Sequence, residues 1–99
     1  MEIRINALHF DATEKLEAYI EKKVSKLGKH IEDADHIDVQ LKVVKPQTAN
    51  NKEAILTLPA MGTTLRVNKV CDTFEEAIDL CVDAMKVQIE KLKDKKRGV

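Results

Sequence analysis

Lysine is the residue type in this chain with the clearest chemical pattern, because four lysines fall on one side of a predicted helix. At about 100° per residue, Lys15, Lys22, Lys26 and Lys29 lie within about 60° of one another. Glu17 and Glu21 lie on the opposite flank of the same helix. Cations sorted in this way are suited to phosphate groups, although a merely solvated helix face is the alternative interpretation.

A second group of cations lies near the C-terminal end, where the stretch "KLKDKKRGV" holds five basic residues and one acid. Helical spacing places Lys91 and Lys95 on one stripe, whereas Lys86 and Lys93 belong to a face of mixed sign. Lysines there also complement the negative end of the helix dipole. The dipole accounts for one or two of these cations but not for all of them.

Residue patterns typical of enzymes and metal sites are missing from the sequence. The three histidines, His9, His30 and His36, fall on different predicted elements and match no ligand spacing. Asp79 and Asp83 are four residues apart on one helical face, which is the spacing of a carboxylate pair. Because lysines continue the same face, we interpret the two acids as solvated and partnered. We therefore expect no catalysis, no cofactor and no metal.

Composition restricts the class of protein further. The chain has 99 residues, zero formal net charge and only 3% aromatic residues, which argues against a generic DNA-coating protein and against base-stacking platforms. Its length fits one small domain; we assign residues 1–95 to it and expect residues 96–99 to form a flexible basic end. The lack of a long apolar run predicts a cytoplasmic protein with no membrane segment, in which Cys71 and Cys81 are buried apolar side chains.

The positions of these lysines depend on the elements that the hydrophobic pattern predicts. Residues 2–7 alternate as a strand, and a helix follows, capped by Asp11 or Thr13 and stopped by Gly28. A second strand contains Ile37, and two more are joined by a hairpin near residues 59–62. A long helix then runs from Thr73 to about Lys93.

The predicted element order is β-α-β-β-β-α. A right-handed crossover through the first helix makes the first two strands parallel, and the hairpin-joined strands that follow are antiparallel. Because one apolar sheet face can take both helices, we predict an α+β fold: a two-layer sandwich with a four-stranded mixed sheet and both helices on one face.

Two segments of the chain resemble a known family. They are "INALHFDATEKLEAYIEKKVSKL" (residues 5–27) and "DTFEEAIDLCVDAMKVQIEKLKDK" (residues 72–95). The first contains a capping threonine, Thr13, and a K-x-x-K-L helix end, and the second contains an A-I-D segment and a lysine-rich close. Their order and spacing resemble the short-form ribosome hibernation-promoting factor, also called the ribosome-associated inhibitor or ribosomal subunit interface protein.

This resemblance implies a double-stranded-RNA-binding-domain-like sandwich that binds the small ribosomal subunit and its 16S-type ribosomal RNA. It implies a stress response in which the protein occludes the messenger and transfer RNA sites during starvation or stationary phase and so inhibits translation. Neither an enzyme activity nor a DNA or membrane partner is expected. The candidate RNA-binding residues are Lys22, Lys23, Lys26, Lys29, Lys86, Lys91 and Lys95.

The second helix departs from the family pattern at two positions, Ala84 and Val87, where cations are usual. Together with Leu80, these residues form an apolar strip. The alternative interpretation is therefore a protein-interaction or self-associating regulatory module on the same scaffold, with weakened RNA binding. Its partner would be another copy of the chain or a different protein.

Overall fold

The element order of the protein follows the predicted one. The computed structural model describes residues 1–8, 10–31, 34–44, 50–60 and 62–97, with only the backbone described for 96 and 97. Its elements are β1 (Glu2–Ala7), α1 (Glu14–Val24) with a 3-10 helix (Ser25–Lys29), β2 (His36–Val43), β3 (Lys52–Ala60), β4 (Thr63–Cys71) and α2 (Phe74–Arg97). The α+β prediction is confirmed. His9 lies outside the described residues.

The four strands form one mixed sheet in the order β1-β2-β3-β4. β1 is parallel to β2, with Ile3 opposite Ile37, and the other two pairings are antiparallel. Leu56 of the third strand lies opposite Val39 on one side and Val67 on the other. Because strand side chains alternate between faces, this register gathers the apolar residues on one face, as the alternation predicted.

Both helices cover that apolar face. α2 packs on β3 and β4, and α1 packs on β1 and against α2, so one continuous core lies between the two layers. The largest fully buried side chains are Ile20, Leu27, Ile37, Leu41, Leu56, Leu58, Ile78, Met85 and Ile89. Among the described residues, no helix packs on the opposite face of the sheet, so the two faces of one sheet meet different environments.

Threonines cap both helices. Thr13 rather than Asp11 is the N-cap of α1, and its hydroxyl accepts a hydrogen bond from the backbone N–H of Leu16 at 3.1 Å. Thr73 accepts one from the N–H of Glu76, also at 3.1 Å. These bonds satisfy N–H groups that have no partner within the helix.

The expectation that Gly28 stops the first helix is wrong. The α-helix already ends at Val24, and a 3-10 helix carries the chain through Gly28 to Lys29. The left-handed conformation typical of a terminating glycine is found instead at Gly62, where φ is 78°. The tighter turn keeps Leu27 fully buried, which explains why helical backbone continues past the end of the α-helix.

Two other boundaries also differ from the predictions. Pro59 lies within β3, opposite Thr64, rather than in the turn. It is beyond Thr57, where pairing with β2 ends, so its missing N–H costs no bond to that strand. α2 extends to Arg97 rather than to about Lys93, because the lysines of its last turns are good helix formers and complement the helix dipole.

Both cysteines are free and buried, as predicted. The thiol of Cys81 on α2 donates a hydrogen bond to the carbonyl oxygen of Ala54 on β3 at 3.3 Å. Burial raises the pKa of Cys81 to about 12, since a thiolate there would be poorly solvated. Within the described ranges, neither helix is long and apolar enough to cross a membrane.

Candidate nucleic-acid interface

The two helices lie side by side and run in the same direction. The hydroxyl of Tyr19 on α1 contacts Asp79 on α2, and eleven residues further along, the Nδ1 of His30 lies 3.6 Å from a carboxylate oxygen of Glu90. Each of these pairs is 60 residues apart, so the helices keep a constant register. Residues that share this offset face each other across the groove between the helices.

A three-residue cluster joins the helices at the start of this groove. The Tyr19 hydroxyl lies 2.8 Å from both carboxylate oxygens of Asp79, to which it donates. The Nζ of Lys23 lies 3.7 Å from Asp79 Oδ1 and 5.6 Å from the centroid of the Tyr19 ring. The hydrogen bond to Asp79 raises the pKa of Tyr19, with burial adding to the effect, because the ionised phenol would lose its bond to a neighbouring carboxylate.

The groove continues as a hollow of about 220 Å³. It is lined by Lys23, Lys26, Asp79, Val82, Asp83 and Lys86. Among the described residues, no acid forms an ion pair with Lys26 or Lys86, whereas Asp79 is already bound to Tyr19 and Lys23. The structure therefore brings three of the predicted lysines, one of them from α2, to a shared site in which two ammonium groups are free to bind an anion.

The other four candidate lysines lie outside the groove. Lys22 is exposed on α1 and Lys29 is exposed on the 3-10 helix that extends it, both beside the groove. Lys91 and Lys95 are exposed on α2, but helical spacing turns Lys91 about 140° from Lys86. The seven predicted residues thus form one group around the groove and a second pair on the far flank of α2.

Two residues of the site, Tyr19 and Asp79, were not predicted to act together. By helical spacing Tyr19 falls on the apolar stripe of α1 that also contains Leu16 and Ile20. The sequence pattern instead predicts Asp79 to be a solvated, partnered acid on α2. The structure confirms a partner for Asp79, but that partner is mainly the tyrosine hydroxyl. The sequence feature that could have indicated this contact is a tyrosine at the edge of an apolar stripe, because its ring can be buried there while its hydroxyl still needs a polar partner.

The apolar strip on α2 is present at the surface. Leu80 is 43% exposed and Val87 is 52% exposed, while Ala84 is partly buried against the core. Both exposed side chains point away from the sheet. They are a physical basis for the alternative interpretation.

The open face of the sheet also carries charged residues, but these are mostly paired. The Nε of Arg4 lies 2.7 Å from Glu2, and the Nζ of Lys42 lies 3.2 Å from Glu53, which also accepts a bond from Asn68 at 3.0 Å. A shallow hollow of about 440 Å³ crosses this face, lined by Arg4, Ile5, Asn6, Asp38, Val39, Gln40, Thr57 and Arg66.

Solved structures share this architecture and define its class. The N-terminal domain of Protein Y from Thermus thermophilus superimposes with a TM-score of 0.78 at 22% identity, over 93% of this chain and 99% of that one. A ribosomal subunit interface protein from Coxiella burnetii gives a TM-score of 0.80 at 20% identity, over 94% of this chain and 98% of that one. The fold is therefore the α+β sandwich of the ribosomal subunit interface proteins.

The sequence places the chain in a family. Residues 3–97 match the family described as sigma 54 modulation protein / S30EA ribosomal protein, and the chain belongs to it. Curated relatives include the ribosome hibernation promotion factors of Picosynechococcus sp. (31% identical over 100 residues) and Lactococcus lactis (27% over 93), and the ribosome hibernation promoting factor of Pseudomonas putida (27% over 99). These alignments include 99%, 94% and 100% of this chain; it spans about half the length of the first two relatives (52% and 50%) and 93% of the third.

Proposed function

We propose that this protein is a non-catalytic ribosome hibernation factor that binds the small ribosomal subunit and inhibits translation. Its family and the names of its curated relatives support a ribosome-associated role. In this proposal the domain contacts 16S-type ribosomal RNA with its helical side, in the cytoplasm, during starvation or stationary phase. It requires no cofactor and no DNA.

The observation that carries the proposal is the convergence of Lys23, Lys26 and Lys86 in the groove between the helices. Lysine ammonium groups bind phosphates as point charges and release condensed counterions when they do so. Lys22 and Lys29 lie beside the groove and extend the same positive surface along α1. Nearby phosphates of a folded RNA can occupy such a surface without being read for their sequence.

Inhibition by occlusion follows from the size and rigidity of the domain. A two-layer sandwich with a continuous core cannot be compressed to let another molecule pass. A domain bound over the messenger and transfer RNA sites would therefore exclude both ligands by its volume. This mechanism needs no chemical step and agrees with a site built from lysines rather than from a nucleophile and a base.

Sedimentation with small subunits at two salt concentrations tests this proposal. We expect the protein to migrate with the subunits at low salt and to be released at higher salt, with a slope of log affinity against log salt of roughly 0.7 to 0.9 for each phosphate contacted. The triple variant Lys22→Glu, Lys23→Glu, Lys26→Glu should not bind and should not inhibit an extract.

A variant with the same change in charge elsewhere is the control. Arg4→Glu, Arg66→Glu and Lys69→Glu reverse three charges on β1 and β4, away from the groove, and should leave binding within a few-fold of the wild type. Circular dichroism checks that both variants are folded. If the unmodified protein stays at the top of the gradient at low salt, the proposal is wrong.

A further inference from the structure

The outward sides of the two helices carry complementary residues at matching intervals. On α1 and its 3-10 extension, cations alternate with small residues; we define the α1 seam as Lys15, Ala18, Lys22, Ser25 and Lys29. On α2, acids alternate with apolar residues; we define the α2 seam as Glu76, Leu80, Asp83, Val87 and Glu90. All ten residues are exposed.

Steps of three and four residues keep residues on one side of an α-helix, which holds for the α2 seam and for Lys15, Ala18 and Lys22 of the α1 seam. Ser25 and Lys29 continue the α1 seam along the 3-10 helix, whose tighter turn rotates Lys29 further round the axis, toward the groove. The cations of the α1 seam recur every seven residues, as do the acids and the apolar residues of the α2 seam. The two helices of one molecule cannot pair these seams with each other. They are parallel neighbours in one layer, and both seams point outward from it.

A second copy of the chain can pair the seams, because a two-fold axis parallel to the helices preserves their register. Rotation about such an axis places α1 of one copy over α2 of the other, still parallel and at the same level. The offset of 60 residues, fixed by the Tyr19–Asp79 and His30–Glu90 contacts, then sets which residues meet.

We propose that two copies of the chain associate face to face through the α1 and α2 seams. Lys15, Lys22 and Lys29 of one copy then lie within one residue's rise, about 1.5 Å, of the level of Glu76, Asp83 and Glu90 of its partner, and the reverse pairs form by symmetry. The partner's Leu80 reaches the space between Ala18 and Lys22, and the partner's Val87 reaches that between Ser25 and Lys29.

Charge complementarity favours a second copy arranged in this way. A two-fold axis across the helices would instead place α1 on α1 and α2 on α2, so that lysines face lysines and acids face acids. The contact is built from exposed ion pairs and two apolar side chains per copy. Such a contact is small and weak, so the dimer forms reversibly and weakens as salt is added.

The dimer and the RNA complex compete for the same surface, a consequence that rests on the proposed function. Lys22 and Lys29 belong both to the α1 seam and to the candidate RNA-binding residues, and the partner copy also covers the groove. The dimer would therefore be unable to bind RNA, and binding of monomers to small subunits would shift the equilibrium away from the dimer.

A charge swap measured without ribosomes tests the dimer separately from RNA binding. Sedimentation equilibrium should show the mass of the wild type rising with protein concentration at low salt. Lys22→Glu and Asp83→Lys should each weaken association at least about tenfold, because each creates two like-charge contacts across the interface. The double variant, and an equimolar mixture of the two single variants, should both associate again.

Lys69→Glu on β4, outside both seams, is the control and should associate like the wild type. Circular dichroism confirms the fold of each variant. A wild-type protein that stays monomeric at high concentration and low salt would overturn the proposal. Association of the single variants at wild-type strength, or failure of the double variant and the mixture to associate, would overturn it as well. None of these outcomes depends on ribosome binding.

Discussion

The two sides of this small sandwich use their cations differently. On the open face of the sheet, Arg4 and Lys42 lie within ion-pair distance of Glu2 and Glu53. On the helical side, α1 presents a row of lysines, and among the described residues only Lys23 of that row is paired with an acid. Both sides belong to one chain of zero net charge.

Formal net charge is therefore a poor guide to what this protein can bind. Glu53 is almost fully buried beside Lys42, with its side chain 11% exposed, so that lysine is neutralised within the molecule. Lys26 and Lys86 have no such partner within the described parts of the chain. The difference predicts that an external polyanion approaches the helices rather than the sheet.

The largest expected effect is a loss of ribosome binding when one lysine of the groove is reversed in charge, compared with the same reversal on the open face of the sheet. Lys26→Glu should weaken binding to small subunits by about tenfold or more, since it removes a phosphate contact and adds a repulsive charge inside the groove. Arg66→Glu on the open face should change binding by less than about twofold. Gradient sedimentation at low salt measures both. Equal losses in the two variants would mean that the sheet face takes part in binding.

A smaller effect, in the opposite direction, is expected at Asp79. Asp79→Asn keeps an oxygen that can accept the Tyr19 hydrogen bond but removes the charge that pairs with Lys23. Lys23 is then free to contact a phosphate, so RNA affinity should rise a few-fold and the salt slope should steepen by roughly 0.7 to 0.9. A fall in affinity, with the fold intact by circular dichroism, would show that the ion pair positions Lys23 for binding.

The smallest expected effect is a shift in the titration of the Tyr19 hydroxyl at alkaline pH. Tyr19 is the only tyrosine, so tyrosinate absorbance reports on it alone, and we expect its native titration above the ordinary value of 10.0. The bond between Tyr19 and Asp79 therefore contributes to the free energy of unfolding in a pH-dependent way. Because the pKa of Tyr19 is raised in the folded state, the contribution is complete below the pKa of the unfolded chain and is lost as pH rises through the pKa of the folded protein. In Asp79→Asn the titration should return toward the ordinary value. An unchanged titration would contradict the role of the carboxylate.

The fold could be predicted from the sequence because its signals are periodic. Alternation in Ile37, Val39 and Leu41 determined which face of β2 is buried, and the same argument placed the strands that pair with it. Local boundaries were less predictable. Glycine is a good indicator of a helix end only when it adopts the left-handed conformation, and Gly28 remains in a 3-10 turn instead.

The candidate site could be predicted only in part. Helical spacing assigned Lys22, Lys26 and Lys29 to one side of α1, which depends on a single helix. Whether Lys86 or Lys91 lies beside them depends on the side from which α2 packs, and periodicity within one helix does not contain that information. The Tyr19–Asp79 bond joins residues 60 positions apart, so it became visible only when the helices were placed together.

The buried thiol of Cys81 can report how often α2 separates from the sheet. With a pKa raised to about 12 and its side chain fully buried against β3, Cys81 cannot react with an alkylating reagent while α2 lies on the sheet. The rate at which Cys81 is labelled therefore measures how often α2 opens away from the sheet. A ligand that bridges the two helices should slow that rate without touching the sulfur, so occupancy of the groove can be read from the other side of the helix.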